Sequence, residues 1–285
     1  MKSLNTFKIF LGIIIFILII NIFLYKDVIS KNSYNYDLEV HGVCVIPTVF
    51  HNYEINQLID LCKNQKYKNV KEFFMNHLTL KNTCLKKTGK DYIFQDYIWI
   101  IQKSLIHTCH RDNNGDFFNV GQKHPSYTLL IYLEPMEKCL GVIPTSHYKK
   151  YSYSFNISDP VIHLSCRPGD IILFNANLIH VGAINQSNHH LRCQMKLSHK
   201  DDLQVLDFYQ NYNKVLNQEN HLPNYITQLQ KRVSCMAPIF SDVTQRENVR
   251  TVRGSSDNVN ISVFQKIFSY LFYGNKDYYD IPNVF

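Results

Sequence analysis

The sequence predicts a mainly β domain with flanking helices, preceded by one N-terminal transmembrane helix. Between residues 90 and 200, short runs of β-branched, aromatic and aliphatic residues alternate with turns, which is typical of a sheet. Residues 48–90 carry apolar side chains at helical spacing, and residues 9–25 form an uncharged, largely apolar run. With 45% hydrophobic and 13% aromatic residues, the 285-residue chain has the composition of a folded protein.

The strands are predicted in the middle of the chain. The apolar runs are Ser126–Leu133, Cys139–Pro144, Ile171–Phe174 and Leu191–Leu197. Before the third run, Arg167-Pro168-Gly169-Asp170 has Pro and Gly at the adjacent central positions that a type II turn favours. Side chains of a strand alternate between its faces, so Arg192 and Gln194 are expected on one face of the last strand.

His110 and Asp112, followed by His180 and Arg192, form the most informative set of polar residues. Two histidines and one carboxylate are the ligands of a facial triad, which binds non-haem Fe(II) and leaves other coordination positions open. The period of two places His110 and Asp112 on the same face of an extended segment, as two ligands of one ion require. An arginine shortly after the second histidine is suited to bind the far carboxylate of 2-oxoglutarate through two hydrogen bonds.

A second His-x-Asp set competes with the first. His199 and Asp201 have His221 and Arg232 downstream. The 21 residues between His199 and His221 contain no clear pair of strands, whereas a site shared between opposing strands needs several strands between its ligands. We therefore favour His110, Asp112 and His180 as the metal ligands and Arg192 as the 2-oxoglutarate ligand.

The order of these motifs resembles the phytanoyl-CoA dioxygenase-like branch of the Fe(II)/2-oxoglutarate-dependent dioxygenases. The motifs are His110-Arg-Asp112, Val142-Ile-Pro-Thr-Ser-His147, Pro168-Gly-Asp170, His180 and Arg192, with the entry segment Gly42-Val-Cys-Val-Ile-Pro47 before them. The likeness covers about residues 40–200. The chain departs from the family at Thr145, where the family usually has Gly, so the backbone there is expected to differ.

The resemblance implies a double-stranded β-helix (jelly-roll or cupin-like) core that binds Fe(II) and uses 2-oxoglutarate and O2 as cosubstrates. No family substrate can be assumed from this resemblance, and our own expectation is hydroxylation of a lipid-like or small-molecule substrate with release of succinate and CO2. A protein side-chain hydroxylase and an inactive, membrane-tethered binding module are the alternatives. Family members often place a polar residue before the His-x-Asp motif to contact 2-oxoglutarate; Gln95 is the best positional match, and Gln102 is its rival.

The N-terminal run is interpreted as a membrane anchor. Residues 9–25 are uncharged, and lysines flank the run on both sides. At about 1.5 Å per residue the run spans roughly 25 Å, which suits a thin bilayer such as that of the endoplasmic reticulum. A cleaved signal peptide is the competing interpretation, but no Ala-x-Ala-like site follows the run. We therefore expect a single-pass membrane protein.

The domain organisation expected from this pattern has four parts. They are an anchor (1–26), a linker (27–40), the dioxygenase-like domain (41–240) and a polar segment with a C-terminal amphipathic helix (241–285). Residues 203–232 are expected to be helical. The net charge of +7 is spread along the chain, so no nucleic-acid partner is expected. The eight cysteines contain no Cys-x-x-Cys, which argues against a structural zinc site. The substrate and the oligomeric state stay open.

Overall fold

The computed structural model describes most of the chain. The residues described are 8–13, 15–16, 19–20, 27–104, 106–112, 121–136, 138–149, 156, 159–182, 191–218, 220–239, 241–242, 261–276, 281 and 284–285. Within these ranges the strands are β1 (Asp27–Ile29), β2 (Val43–Ile46), β3 (Tyr92–Phe94), β4 (Tyr97–Lys103), β5 (Tyr127–Tyr132), β6 (Gly141–Val142), β7 (Val161–His163), β8 (Ile171–Asn175), β9 (His180–Val181), β10 (Arg192–His199) and β11 (Tyr212–Asn217). The helices are α1 (Leu38–His41), α2 (Asn52–Lys63), α3 (Tyr67–Asn76), α4 (Leu78–Thr88), α5 (Asn224–Met236) and α6 (Val263–Tyr273).

Two sheets form the core. The larger has the strand order β11-β4-β10-β5-β8-β2, with β3 also paired to β10, and the smaller has the order β1-β7-β6-β9. Most pairs are antiparallel, whereas β11 pairs with β4 and β1 with β7 in parallel. Mixed sheets with flanking helices agree with the expected jelly-roll core.

The two faces of the larger sheet have different environments because side chains alternate along each strand. One face packs against α2, α3 and α4 in a cluster that includes Ile100, Leu129, Ile131, Cys193 and Met195 together with Leu58, Phe74 and Leu80 of the helices. The opposite face carries Leu130, Tyr132, Ile172 and Phe174, which pack against Leu140, Val142 and Leu164 on the side of the smaller sheet. The space between the sheets is therefore lined by the alternate residues of β4, β5, β8 and β10.

The predicted turn before β8 is confirmed. Gly169 has a φ of 95°, a region that glycine enters at low cost, and the N–H of Asp170 donates to the carbonyl of Arg167 over 3.0 Å. A side chain at Gly169 would also collide with the carbonyl oxygen of Phe50, 2.5 Å from an ideal Cβ. The turn thus needs glycine for its conformation and for its close packing.

The predicted transmembrane helix is wrong. Among the described residues, no helix is both long enough and apolar enough to cross a membrane. In the N-terminal run, residues 8–13, 15–16 and 19–20 are helical, and the other positions of 1–26 lie outside the described residues. The expected transmembrane helix and the expected single-pass localisation in the endoplasmic reticulum both rested on the hydropathy of residues 9–25. This finding overturns both expectations.

Residues 27–40 and 203–232 differ in secondary structure from the expected linker and helix. Residues 27–40 contain β1, which pairs with β7 in the smaller sheet, and most of α1. Residues 203–232, expected to be helical, contain strand β11 before α5 begins. The C-terminal helix α6 packs on the core through Phe268 and Tyr273. Most of the polar segment before it, residues 243–260, lies outside the described residues.

Candidate active site

The three predicted metal ligands meet between the two sheets. His110 pairs with His180 in an isolated antiparallel bridge, with both N–H···O distances at 3.0 Å. Asp112 follows two residues later, and its Oδ1 lies 3.6 Å from His110 Nε2 and 3.5 Å from His180 Nε2. All three side chains are buried. One side-chain atom of each residue is therefore close enough to the others for a single ion to bind all three.

Hydrogen bonds to the backbone fix the tautomer of both histidines. His110 Nδ1 lies 2.9 Å from the carbonyl oxygen of Thr108, and His180 Nδ1 lies 2.9 Å from that of Leu178. A carbonyl can only accept, so each Nδ1 carries the proton and each Nε2 presents its lone pair to Asp112. Burial and the neighbouring His180 lower the pKa of His110, which keeps it neutral.

The second oxygen of Asp112 is held by two side chains of the larger sheet. Lys196 Nζ lies 2.5 Å from Asp112 Oδ2, and the Thr128 hydroxyl donates to the same oxygen over 2.7 Å. Thr128 and Lys196 face each other across β5 and β10. Burial raises the pKa of Asp112, but the charge of Lys196 outweighs it and holds the pKa well below its ordinary value.

The donor set fits a metal ion. Two imidazole lone pairs and one carboxylate oxygen converge with no proton between them, an arrangement that is repulsive without a cation. Nitrogen and oxygen ligands of this kind suit Fe(II) and related divalent metals. His110, Asp112 and His180 thus meet the chemical requirements of the facial triad that the sequence predicts.

A pocket extends from this group towards Arg192. Its lining residues are Trp99, Ile101, Ser104, Ile106, His110, Asp112, Leu130, Tyr132, Leu140, Phe174, His180, Gly182, Arg192 and Gln194. Sheet register builds it: Arg192 lies between Ile101 and Tyr132 on the neighbouring strands, and Gln194 lies between Trp99 and Leu130. Burial lowers the pKa of Arg192 from its ordinary value. The pocket is thus mainly apolar, and its polar groups include the buried guanidinium of Arg192 and the three converging ligand atoms.

Arg111, between the two ligands of the motif, points away from the pocket. Its guanidinium lies 2.9 Å from Asp242 Oδ2, and its backbone N–H donates to Asp242 Oδ1. Both side chains are fully buried. This pair anchors the backbone that places His110 and Asp112 on the side facing the pocket.

A disulfide supports the same segment. Cys109, next to His110, is bonded to Cys235 at the end of α5. The N–H of Cys109 also donates to Ser234 Oγ of this helix over 2.8 Å. Helix α5 is thus joined covalently to the backbone that carries the first predicted metal ligand.

Gln95 lies elsewhere among the described residues. Its side chain is buried and accepts a hydrogen bond from Gln210, and it does not line the pocket. Its rival Gln102 bonds to the hydroxyl of Tyr67 at 3.2 Å. The polar residue that does line the pocket on the sheet face is Gln194, whose position beside Arg192 follows from the alternation of β10.

The competing His-x-Asp set is only partly assembled. His199 and Asp201 gather with His124, and the stacked rings of His124 and His199 have centroids 3.7 Å apart. Asp201 is about half exposed, and His221 is absent from this group of described residues. The expected partner of the second set is therefore replaced by a loop histidine at the protein surface.

The family comparison agrees with the resemblance stated for the sequence. Residues 100–193 match the model of the family described as Phytanoyl-CoA dioxygenase (PhyH), and they include His110, Asp112, His180 and Arg192. The match confirms the resemblance to the phytanoyl-CoA dioxygenase-like branch over residues 100–193, and it agrees with the expected enzyme class and with Fe(II) and 2-oxoglutarate as cofactor and cosubstrate. No curated protein matches the chain.

Solved structures with a similar chain path have low sequence identity. EvdMO1 is 14% identical, with a TM-score of 0.45, and the match covers 57% of this chain and 48% of that chain. The chain thus spans about half the length of EvdMO1. HygX from Streptomyces hygroscopicus, with nickel, 2-oxoglutarate and hygromycin B bound, is 15% identical (TM-score 0.41; 60% and 88% covered). The epimerase SnoN, in complex with Fe3+, alpha ketoglutarate and nogalamycin RO, is 14% identical (TM-score 0.46; 57% and 80% covered).

Proposed function

We propose that this protein hydroxylates a lipid-like or small-molecule substrate in a 2-oxoglutarate-dependent reaction that releases succinate and CO2. His110, Asp112 and His180 would bind Fe(II), and Arg192 would bind the far carboxylate of 2-oxoglutarate. The observation that carries the proposal is the convergence of three unprotonated ligand atoms in a pocket that also contains a buried arginine.

Each part of the chain has a defined task in this proposal. When bound, Fe(II) supplies the redox chemistry with O2 and 2-oxoglutarate that oxidises the substrate. The backbone carbonyls of Thr108 and Leu178 orient the two imidazoles, and Lys196 and Thr128 both bond to Oδ2 of Asp112, so that Oδ1 would bind the metal. The arginine provides a planar pair of donors that matches a carboxylate.

The apolar lining favours a small organic substrate and excludes water. Trp99, Ile101, Leu130, Tyr132 and Phe174 surround the polar groups. Water exclusion strengthens the electrostatic interactions of a bound carboxylate and protects reactive species from side reactions. A pocket with apolar walls and a few convergent polar groups is the usual form of a small-molecule site.

The proposal is tested with the full chain, purified without metal and oxygen. Addition of Fe(II) and 2-oxoglutarate under anaerobic conditions should give the weak visible charge-transfer band of the chelate, and His110→Ala should abolish it. The matched control is His199→Ala, from the competing set, which should retain the band. A folded wild-type protein without the band, or a band lost in His199→Ala and retained in His110→Ala, would contradict the proposal. Consumption of O2 would then be measured with candidate substrates.

A further inference from the structure

The sulfur atoms of two buried cysteines beside the pocket lie closer together than two unbonded heavy atoms usually do. Cys139 Sγ and Cys166 Sγ are 2.8 Å apart. Unbonded heavy atoms are at optimal separation at roughly 3.5–4.0 Å, and sulfur is no smaller than carbon. A disulfide bond brings the two sulfurs to about 2.05 Å. The sulfur contact is therefore intermediate between an ordinary contact and a covalent bond.

Backbone hydrogen bonds hold the two cysteine-containing segments together. The N–H of Cys139 donates to the carbonyl of Leu164 over 2.8 Å, and the N–H of Leu164 donates to the carbonyl of Leu140 over 2.9 Å. These bonds continue the antiparallel pairing of β6 with β7 beyond Gly141 and His163. Two segments separated by 27 positions in the sequence are thus aligned side by side, with both sulfurs in the same interior space.

We propose that Cys139 and Cys166 form a second disulfide, which stabilises the wall of the pocket on the side of the smaller sheet. The neighbouring Leu140 lines the pocket, and Tyr132 packs in the same cluster. The bond would fix the position of this wall against β5. The first disulfide, Cys109–Cys235, fixes the backbone beside His110, so the two bonds would act on different walls of one site.

The oxidation requires a disulfide donor, such as oxidised glutathione. Two thiols lose two electrons and two protons, one sulfur–sulfur bond forms, and the donor is reduced to two thiols. Since both sulfurs are buried in the folded protein, the exchange takes place during folding.

Peptide mapping tests the proposal without iron, 2-oxoglutarate or turnover, so its failure is distinct from a failure of the proposed function. The full chain is folded in a glutathione redox buffer until Cys109–Cys235 has closed, then denatured and alkylated without reductant. Mass spectrometry of the digest should show the Cys139 peptide joined to the Cys166 peptide. Alkylation of Cys139 and Cys166 alongside an intact Cys109–Cys235 bond would overturn the proposal, as would a bond from Cys139 to any other cysteine.

A pair of variants checks the assignment. In Cys166→Ser, Cys139 should become fully alkylated, whereas the control Cys84→Ser, at a buried cysteine of α4, should leave the Cys139–Cys166 peptide unchanged. If Cys139 stayed protected from the alkylating agent in denatured Cys166→Ser, the partner would have been assigned wrongly.

Discussion

Lys196 is the residue whose position most affects the candidate metal ligands. It is completely buried, bonds to Asp112 Oδ2 and to the Thr128 hydroxyl, and lies 5.2 Å from the ring centroid of Tyr209. A buried ammonium group is costly unless it is paired, and here the carboxylate is its partner. The lysine thus keeps Asp112 ionised and holds its Oδ2, which leaves Oδ1 beside the two imidazole nitrogens.

Lys196→Met should weaken Fe(II) binding by roughly 10–100-fold, because the ligand carboxylate loses a partner that fixes its orientation. Chelator competition measures the affinity, and the absorption spectrum of the Co(II)-loaded protein reports any change in coordination number. The matched control is Lys214→Met, at another buried lysine, which lies over the ring of Tyr212. Equal Co(II) spectra and equal Fe(II) affinities in the wild type and Lys196→Met would show that Lys196 does not position the carboxylate of Asp112.

Arg192→Met should weaken 2-oxoglutarate binding by roughly 10–100-fold, since a charged hydrogen-bonding pair contributes about 1.5–3 kcal/mol. Anaerobic titration of the charge-transfer band gives the dissociation constant. Pyruvate provides the control because it has the oxo acid group without the second carboxylate. The wild type and the variant should bind pyruvate equally well, and an equal loss for both ligands would show that the variant disturbs the pocket as a whole.

At the scale of secondary structure elements, the connection after β6 contains a conformation that favours glycine. Thr145 has a φ of 68° and a ψ of −7°, and its side chain is exposed. Its N–H donates to the carbonyl of His41, and its carbonyl accepts from the N–H of Tyr148. These bonds hold Thr145 in the left-handed region, where a residue with a Cβ is strained by about 1–2 kcal/mol. Threonine is therefore accommodated at a cost in a position where the family usually has glycine.

Thr145→Gly should stabilise the protein by roughly 0.5–1 kcal/mol, because relief of the left-handed strain exceeds the added entropy of the unfolded chain. Urea unfolding measures the change. In the turn before β8, the opposite substitution, Gly169→Ala, should lower the free energy of unfolding. Gly169 has a φ of 95°, and a Cβ at this position would collide with the carbonyl oxygen of Phe50. A lower free energy of unfolding in Thr145→Gly would show that the threonine side chain contributes more than its backbone strain costs.

At the scale of the whole molecule, helix α5 ties the smaller sheet to the segment that carries His110. Lys231 of this helix bonds to Asp27 of β1 at 2.7 Å and to His163 of β7 at 2.9 Å. Its last turn is joined to Cys109 by the disulfide. Burial opposes the ionisation of Asp27, but the contact with His163 and the charge and hydrogen bond of Lys231 outweigh it, so the pKa of Asp27 lies well below its ordinary value.

Asp27→Asn should lower the free energy of unfolding at pH 7 by roughly 1–3 kcal/mol, as expected for a lost hydrogen bond between charged groups. A depressed carboxyl pKa stabilises the folded state above the unfolded pKa of 3.8, and this stabilisation is lost as the pH falls below that value. The difference between wild type and variant should therefore shrink from pH 4 downward in urea unfolding experiments.

The control for Asp27 is an exposed ion pair. Asp159 lies 3.4 Å from Lys149, and both side chains are 47% exposed. Asp159→Asn should change the stability by less than about 1 kcal/mol, because exposed pairs contribute little. A pH-independent difference between wild type and Asp27→Asn would show that the carboxylate charge is not the source of the effect.

The central strands and the candidate ligands could be predicted because they depend on local patterns. Apolar runs predicted β5, β8 and β10, and the Pro-Gly pair predicted the turn at Gly169. The same alternation that placed Arg192 beside Gln194 could also have placed Lys196 on that face. Strand β11 was missed because its polar sequence, Tyr-Asn-Lys-Val-Leu-Asn, has no strong strand pattern and is stabilised by parallel pairing with β4.

The sequence by itself determined the order of the motifs, the residue types of the facial triad and the alternation of side chains along the strands. Each of these can be recognised from the residues of short segments of the chain. Only the tertiary structure decided which distant groups meet: Lys196 with Asp112, Cys139 with Cys166, and His124 rather than His221 with His199. It also placed Gln95 outside the pocket lining. These contacts depend on the register between strands and on loop packing, which bring together residues far apart in the chain and leave no local signal in the sequence.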